Sequence, residues 1–133
     1  MQTFLPFPSF KESAQSLDRQ RLGKQRVEVK QILRALQGLS KGWQNHPAVR
    51  MWRGYETALA AYGVEICTEW RQRGYKDSLL PEFLAAINAE IKMPPWIGNE
   101  SFHASHRSNL KRKNPEYYKH FNEPPNLPYV WPT

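Results

Sequence analysis

The stretch 17–30, LDRQRLGKQRVEVK, carries residue types suited to acid–base chemistry beside a polyanion. On a helix, Arg21, Gln25 and Glu28 stand at i, i+4 and i+7 and share a face, with the apolar Ile32 next along it. Glu28 therefore falls where a cation-rich stripe runs into the core. A carboxylate at such a border is partly desolvated yet still close to Arg21 or Lys24, the setting in which catalytic carboxylates are often found. The alternative is a plain i−4 salt bridge to Lys24 on a wet helix face, and spacing alone leaves both open. Gly23 also needs a reason, since a mid-helix Gly costs about 1 kcal/mol relative to Ala. Close approach of a DNA backbone would supply one, and tight helix packing another.

The cations around these residues form a pattern. Between positions 19 and 34 lie Arg19, Arg21, Lys24, Arg26, Lys30 and Arg34, against the single acid Glu28. Such a surface matches a phosphate track. A second cluster holds His103, His106, Arg107, Lys111, Arg112 and Lys113, with Arg107 and Lys111 spaced to grip neighbouring phosphates. The formal net charge of +7 points the same way, toward a polyanion. Double-stranded DNA is the expected partner. A membrane is not, because no run approaches the roughly 20 apolar residues a spanning helix needs.

Other reactive side chains suggest less. The single cysteine, Cys67, excludes an internal disulfide or a CxxC site, and its helical position favours the core. His103 and His106 are three apart with no acidic ligand adjoining, so neither a metal nor another cofactor is expected. The opening Met1 to Pro6 lacks a basic segment followed by an apolar one, so a cytoplasmic, nucleoid-associated monomer is expected. Trp96 and Trp131 are loop aromatics flanked by prolines, read as lids on the core or as platforms for an unpaired base. Tyr117 and Tyr118 admit the same two readings.

The elements that must position these groups are helical throughout. The 133 residues suit one all-α domain, 1–133, with extended segments at both ends. Ser9 and Glu12 have capping-box spacing and predict a short helix to about Leu17. Asp18 caps a second helix to about Leu36, closed by Gly38. Pro47 opens the longest helix, whose stripe of Trp52, Tyr55, Leu59, Tyr62, Ile66 and Trp70 ends before Gly74, with Gly54 and Gly63 marking a bend or a close crossing. A helix over Pro81 to Ile91 follows, then a loop over Pro94 to His103, a basic helix over Ser105 to Lys113, and a proline-rich tail from Pro124.

Three stretches resemble the pyrimidine-dimer DNA glycosylase family, typified by the phage endonuclease V. They are the helix Asp18 to Lys30, the segment 64–77 (VEICTEWRQRGYKD) and the segment 105–118 (SHRSNLKRKNPEYY). The resemblance implies a compact helical domain that kinks DNA and flips a nucleotide. It places Glu28 on the family's catalytic glutamate, Arg21 on a DNA-facing position, and Arg107 and Lys111 on phosphate-gripping ones. It further implies attack on the sugar C1′ by the chain's own α-amine, then strand cleavage by β-elimination, so that base excision is joined to AP lyase activity. Amines of that kind titrate near neutral pH, which leaves part of them free as nucleophiles.

Two positions depart from the family. Its nucleophile sits on a small residue exposed by removal of the initiator Met, whereas Gln2 follows Met1 here and favours retention. The amine then belongs to Met1, or the amine route is lost. Val27 stands where the family has an arginine. The expected activity is excision of a damaged or modified pyrimidine, with Met1 and Glu28 catalytic. Arg19, Arg21, Lys24, Gln25, Arg26, His106, Arg107, Lys111 and Arg112 are expected to contact DNA. The competing reading is a non-catalytic nucleic-acid binder on the same scaffold.

Overall fold

Ser9 opens the first helix as the spacing predicts, its Oγ accepting the Glu12 N–H at 3.1 Å, although only this half of the capping box forms. The computed structural model describes residues 1–133, and six helices and no strand make up its regular structure: α1 (Phe10–Ser16), α2 (Arg19–Leu36), α3 (Pro47–Arg50), α4 (Glu56–Gln72), α5 (Leu80–Ala86) and α6 (Glu100–Lys113). The protein is all-α. Helix α4 packs against α1, α2 and α5, and buries Leu59, Tyr62, Ile66 and Cys67. From α2, Leu22, Val29, Ile32 and Leu33, which share one helical face, fill the same core. Trp52, Tyr62, Phe83, Phe102 and Tyr118 are fully buried, each removing about 150–250 Å² from water.

Gly23 is explained by packing. A Cβ there would lie 2.8 Å from Trp70 Cη2, so only glycine lets α2 and α4 approach this closely. The Trp70 ring is covered on other sides by Tyr75, at 4.3 Å between centroids, and by the Arg26 guanidinium at 5.2 Å.

Several boundaries differ from those read in the sequence. The single long helix expected from Pro47 is two helices, because Gly54 takes φ +87°, a conformation that ends α3's turn and restarts the chain as α4. The longest helix is instead α2, with 18 residues. Helix α5 stops at Ala86 rather than Ile91. It buries only Phe83, and the chain beyond is held extended by Thr57 Oγ1, which donates to Glu90 O and accepts from Lys92 N–H, both at 3.2 Å. Helix α6 begins at Glu100, inside the expected loop, because Asn99 Oδ1 accepts the Phe102 N–H at 3.1 Å. Asp18 occupies the N-cap of α2 without capping it, since its carboxylate accepts the Tyr118 hydroxyl at 2.5 Å and pairs with Arg21 at 3.2 Å.

Both termini run extended, and side chains tie them down. Thr3 Oγ1 accepts from Trp52 Nε1 at 3.1 Å, and Phe4 O accepts from the Tyr62 hydroxyl at 2.6 Å. Leu5 is gripped twice from α6: its N–H donates to His106 Nδ1 at 2.9 Å, and its carbonyl accepts from His103 Nδ1 at 2.8 Å. Arg107 then donates to Pro6 O at 2.7 Å. The tail is laced to the same helix, with Leu127 N–H on Ser108 Oγ at 3.0 Å and Val130 N–H on Ser105 Oγ at 3.2 Å. No helix is long and apolar enough to cross a membrane.

Candidate active site

The stripe on α2 and the anchored N-terminus meet at a cavity of about 320 Å³. Met1, Gln2 and Phe4 enter it from the first segment, and Gln20, Arg21, Lys24 and Glu28 from α2. His46 lines it ahead of α3, Lys113 at the end of α6, and Tyr129 and Trp131 from the tail. Met1 and Glu28, distant in sequence and both expected to carry chemistry, thus face one space.

Glu28 is 8% exposed, and Gln25 is fully buried. The Gln25 amide uses all its capacity: Nε2 donates to Glu28 Oε2 at 2.7 Å and to Gln2 O at 2.8 Å, while Oε1 accepts the Phe4 N–H at 3.0 Å. The Tyr62 hydroxyl lies 2.7 Å from the same Oε1. One side chain therefore fixes the carboxylate and the segment bearing the α-amine against each other. Lys24 makes no ion pair with Glu28, so the simple salt-bridge reading does not hold.

Burial raises the Glu28 carboxyl above the usual carboxylate range, and the α-amino group, Lys24, the Gln2 N–H and the Gln25 amide oppose that rise. The α-amino group is near enough to His46 to act with burial in holding that imidazole's pKa down. His46 Nδ1 accepts the Ala48 N–H at 3.0 Å, so the neutral ring carries its proton on Nε2. At the mouth, Lys113 is pushed down by partial burial and by the positive charges of Arg21, Arg112 and Lys24. Such a set of cations draws in anionic groups.

The structure places the other expected contact residues differently. His106 is buried, its pKa driven to about 3 by burial and by neighbouring His103, and its Nδ1 is occupied by Leu5. It is a neutral core residue, because its imidazole supplies an acceptor that buried backbone needs. Arg107 is paired with Glu100 and with Glu123 (2.9 Å), and Lys111 Nζ donates to Phe121 O at 2.8 Å. These two staple the tail instead of projecting outward. Arg26 faces α4's end and pairs with Asp77 at 2.7 Å, and Gln25 is internal. Arg19, Lys24 and Arg112 are exposed, and Arg112 leans on Asn109. Val27 is 48% exposed beside Glu28, so packing does not demand an apolar residue there.

Trp96 is a core lid, 4.9 Å from the Trp52 ring in an edge contact. Cys67 is buried with its thiol pushed up to about 12, chiefly by burial and then by Asp77. No group of three or more His, Cys, Asp or Glu side chains is arranged to hold a metal ion. Gln2, His46 and Tyr129 are not among the residues the sequence points to for the site, because each reaches it only through long-range folding. The sequence does carry a signal for Lys113, in the second cationic cluster, and for Trp131, in the proline-framed aromatic tail.

A family model described as pyrimidine dimer DNA glycosylase matches residues 1–81, which hold Met1, Arg21, Lys24, Glu28 and His46. No curated protein and no solved structure matches the chain.

Proposed function

The chain belongs to the pyrimidine dimer DNA glycosylase family, and on that premise we propose that it excises a damaged or modified pyrimidine from double-stranded DNA and then cleaves the strand at the emptied sugar. Residues 1–133 act as one domain in this reading, and the protein works as a cytoplasmic, nucleoid-associated monomer. The observation that carries it is the bridge from Gln25 to both Gln2 O and Glu28, which keeps the amine-bearing segment beside a buried carboxylate.

The chemistry follows from that pairing. The Met1 α-amine attacks C1′, and the glycosidic C–N bond breaks with its electron pair leaving on the base, which takes up a proton. Glu28 offsets the positive charge that develops on the sugar and shuttles the protons of the amine and the ring oxygen. Loss of the ring C1′–O bond gives an imine between Met1 and the sugar. Abstraction of a C2′ proton then expels the 3′ phosphate, and water releases the amine. The cations Arg21, Lys24, Arg19, Arg112 and Lys113 hold flanking phosphates. No metal enters this route.

The test is borohydride trapping on a duplex with a preformed abasic site. A stable protein–DNA adduct that maps to Met1 by mass spectrometry supports the reading. Absence of any adduct, with no strand cleavage, overturns it in favour of a non-catalytic binder.

A further inference from the structure

Three residues of the cavity wall, Lys113, Tyr129 and Trp131, lie outside the matched residues, in the C-terminal part of the chain. Trp131 and Tyr129 stand 5.7 Å apart there, and Trp131 meets His46 edge-on at 6.2 Å. His46 in turn meets Trp43 at 5.7 Å, and Trp43 is 45% exposed at the rim. An aromatic path thus runs from the surface into the space beside Glu28. The tail bonds to Ser105, Ser108 and Asn109 through its backbone, which fixes the path, and the Tyr129 hydroxyl meets the Gln2 side chain.

Resting on the reading above, we infer that this cavity receives one extruded pyrimidine nucleotide, its base held against Trp131 and Tyr129 and a ring carbonyl facing His46. Three observations carry the inference. The volume of about 320 Å³ is at the small end for ligand pockets, which run to about 1,000 Å³. Two cross-linked bases with two sugars and the phosphate between them need much more. Aromatic walls suit a single flat ring, since base–aromatic stacking works on any exposed π-face. His46 presents an N–H because its other nitrogen is used in capping α3, and an N–H selects a carbonyl oxygen of the kind uracil and thymine carry at both O2 and O4. The sugar of such a nucleotide falls toward Met1 and Glu28, with its phosphates at the Lys24 and Lys113 mouth.

The experiment compares single-turnover rates on duplexes bearing uracil, 5-hydroxymethyluracil, thymine glycol, a cis-syn thymine dimer or a preformed abasic site. The wild-type protein is expected to excise at least one single-base lesion faster than the dimer. Trp131→Ala is expected to lower the rate on that lesion, relative to its own rate on the abasic duplex, by roughly 5- to 150-fold, the span of one stacking contact. Trp131→Phe should restore most of the loss. His46→Asn keeps the cap on α3 but removes the ring N–H, and should lower the same ratio. Preference for the dimer, or a ratio that neither Trp131→Ala nor His46→Asn changes, overturns the one-base pocket while a trapped abasic adduct leaves the glycosylase reading intact. Failure of wild-type protein to form that adduct overturns both.

Discussion

Gln25 Nε2 donates to Glu28 Oε2 at 2.7 Å from one turn earlier on the same helix, and this contact sets the carboxylate's rotamer. Glu28→Gln keeps the shape and removes the charge. It should lower the excision rate by about 10²- to 10⁴-fold in single-turnover assays, the usual contribution of a positioned acid–base group. Affinity for duplex should stay the same or rise slightly. Excision at an undiminished rate would remove Glu28 from the chemistry.

The same substitution carries a stability prediction. Burial raises the folded pKa of Glu28 above its ordinary 4.5, so the carboxyl favours folding when protonated and loses that benefit as pH rises through the raised value. Glu28→Gln should therefore melt higher than wild type at neutral pH, and the gap should close below pH 4.5. A melting temperature lowered at every pH would show that the charge is not the cost.

Blocking the α-amine separates binding from strand cleavage. A short N-terminal tag, or reductive methylation confined to Met1, should suppress cleavage and trapping on an abasic duplex while duplex binding persists. Tagged protein that cleaves at the normal rate would assign any lyase step to a different group.

Salt dependence distinguishes the cations that project outward from those that hold the fold. Lys24 and Lys113 line the cavity mouth without an ion-pair partner, so Lys24→Ala and Lys113→Ala should each flatten the slope of log K against log salt by about 0.9. Arg107 is tied to Glu100, Glu123 and Pro6 O, and Arg107→Ala should instead cost about 3 kcal/mol in urea unfolding and leave that slope unchanged. The opposite pattern would return Arg107 to the phosphate track.

Acid stability should report on His106. Its pKa of about 3 in the fold compares with 6.5 ordinarily, so the unfolded chain binds the extra proton between those values. Stability is whole above pH 6.5 and falls by about 1.4 kcal/mol per pH unit until pH 3. His103, lowered mainly by burial, steepens the fall. His106→Asn should flatten this slope by about one proton, because an amide oxygen can accept from Leu5 N–H without titrating. An unaltered slope would show that other groups set the acid limit.

Local chemistry made much of the fold readable. The apolar spacing of α2 and the Ser9 cap identify their helices from nearby residues alone, and the isolated cation stripe led to Glu28 without any tertiary knowledge. What sequence pattern missed depends on distant partners. Gly54 is compatible in the sequence with a bend or a close helix crossing, and the full break appears only in its φ of +87° between α3 and α4. His106, Arg107 and Lys111 carry surface-type side chains, yet the terminal segments cover them and consume their bonds. His46 and Tyr129 reach the cavity only because the chain ends converge there, which no local spacing encodes.

The grip of His103 and His106 on Leu5 joins positions 98 and 101 residues apart. The backbone partners of Leu5 thus lie on α6, far along the chain from the segment they hold. Loop closure over that span must precede the reward, so the amino terminus is among the last parts to lock. A chain lacking α6 would keep Glu28 on its helix but lose both of these holds on Leu5. Any reactivity toward DNA that depends on the pairing of Glu28 with the amine therefore requires α6 to be folded against the first segment.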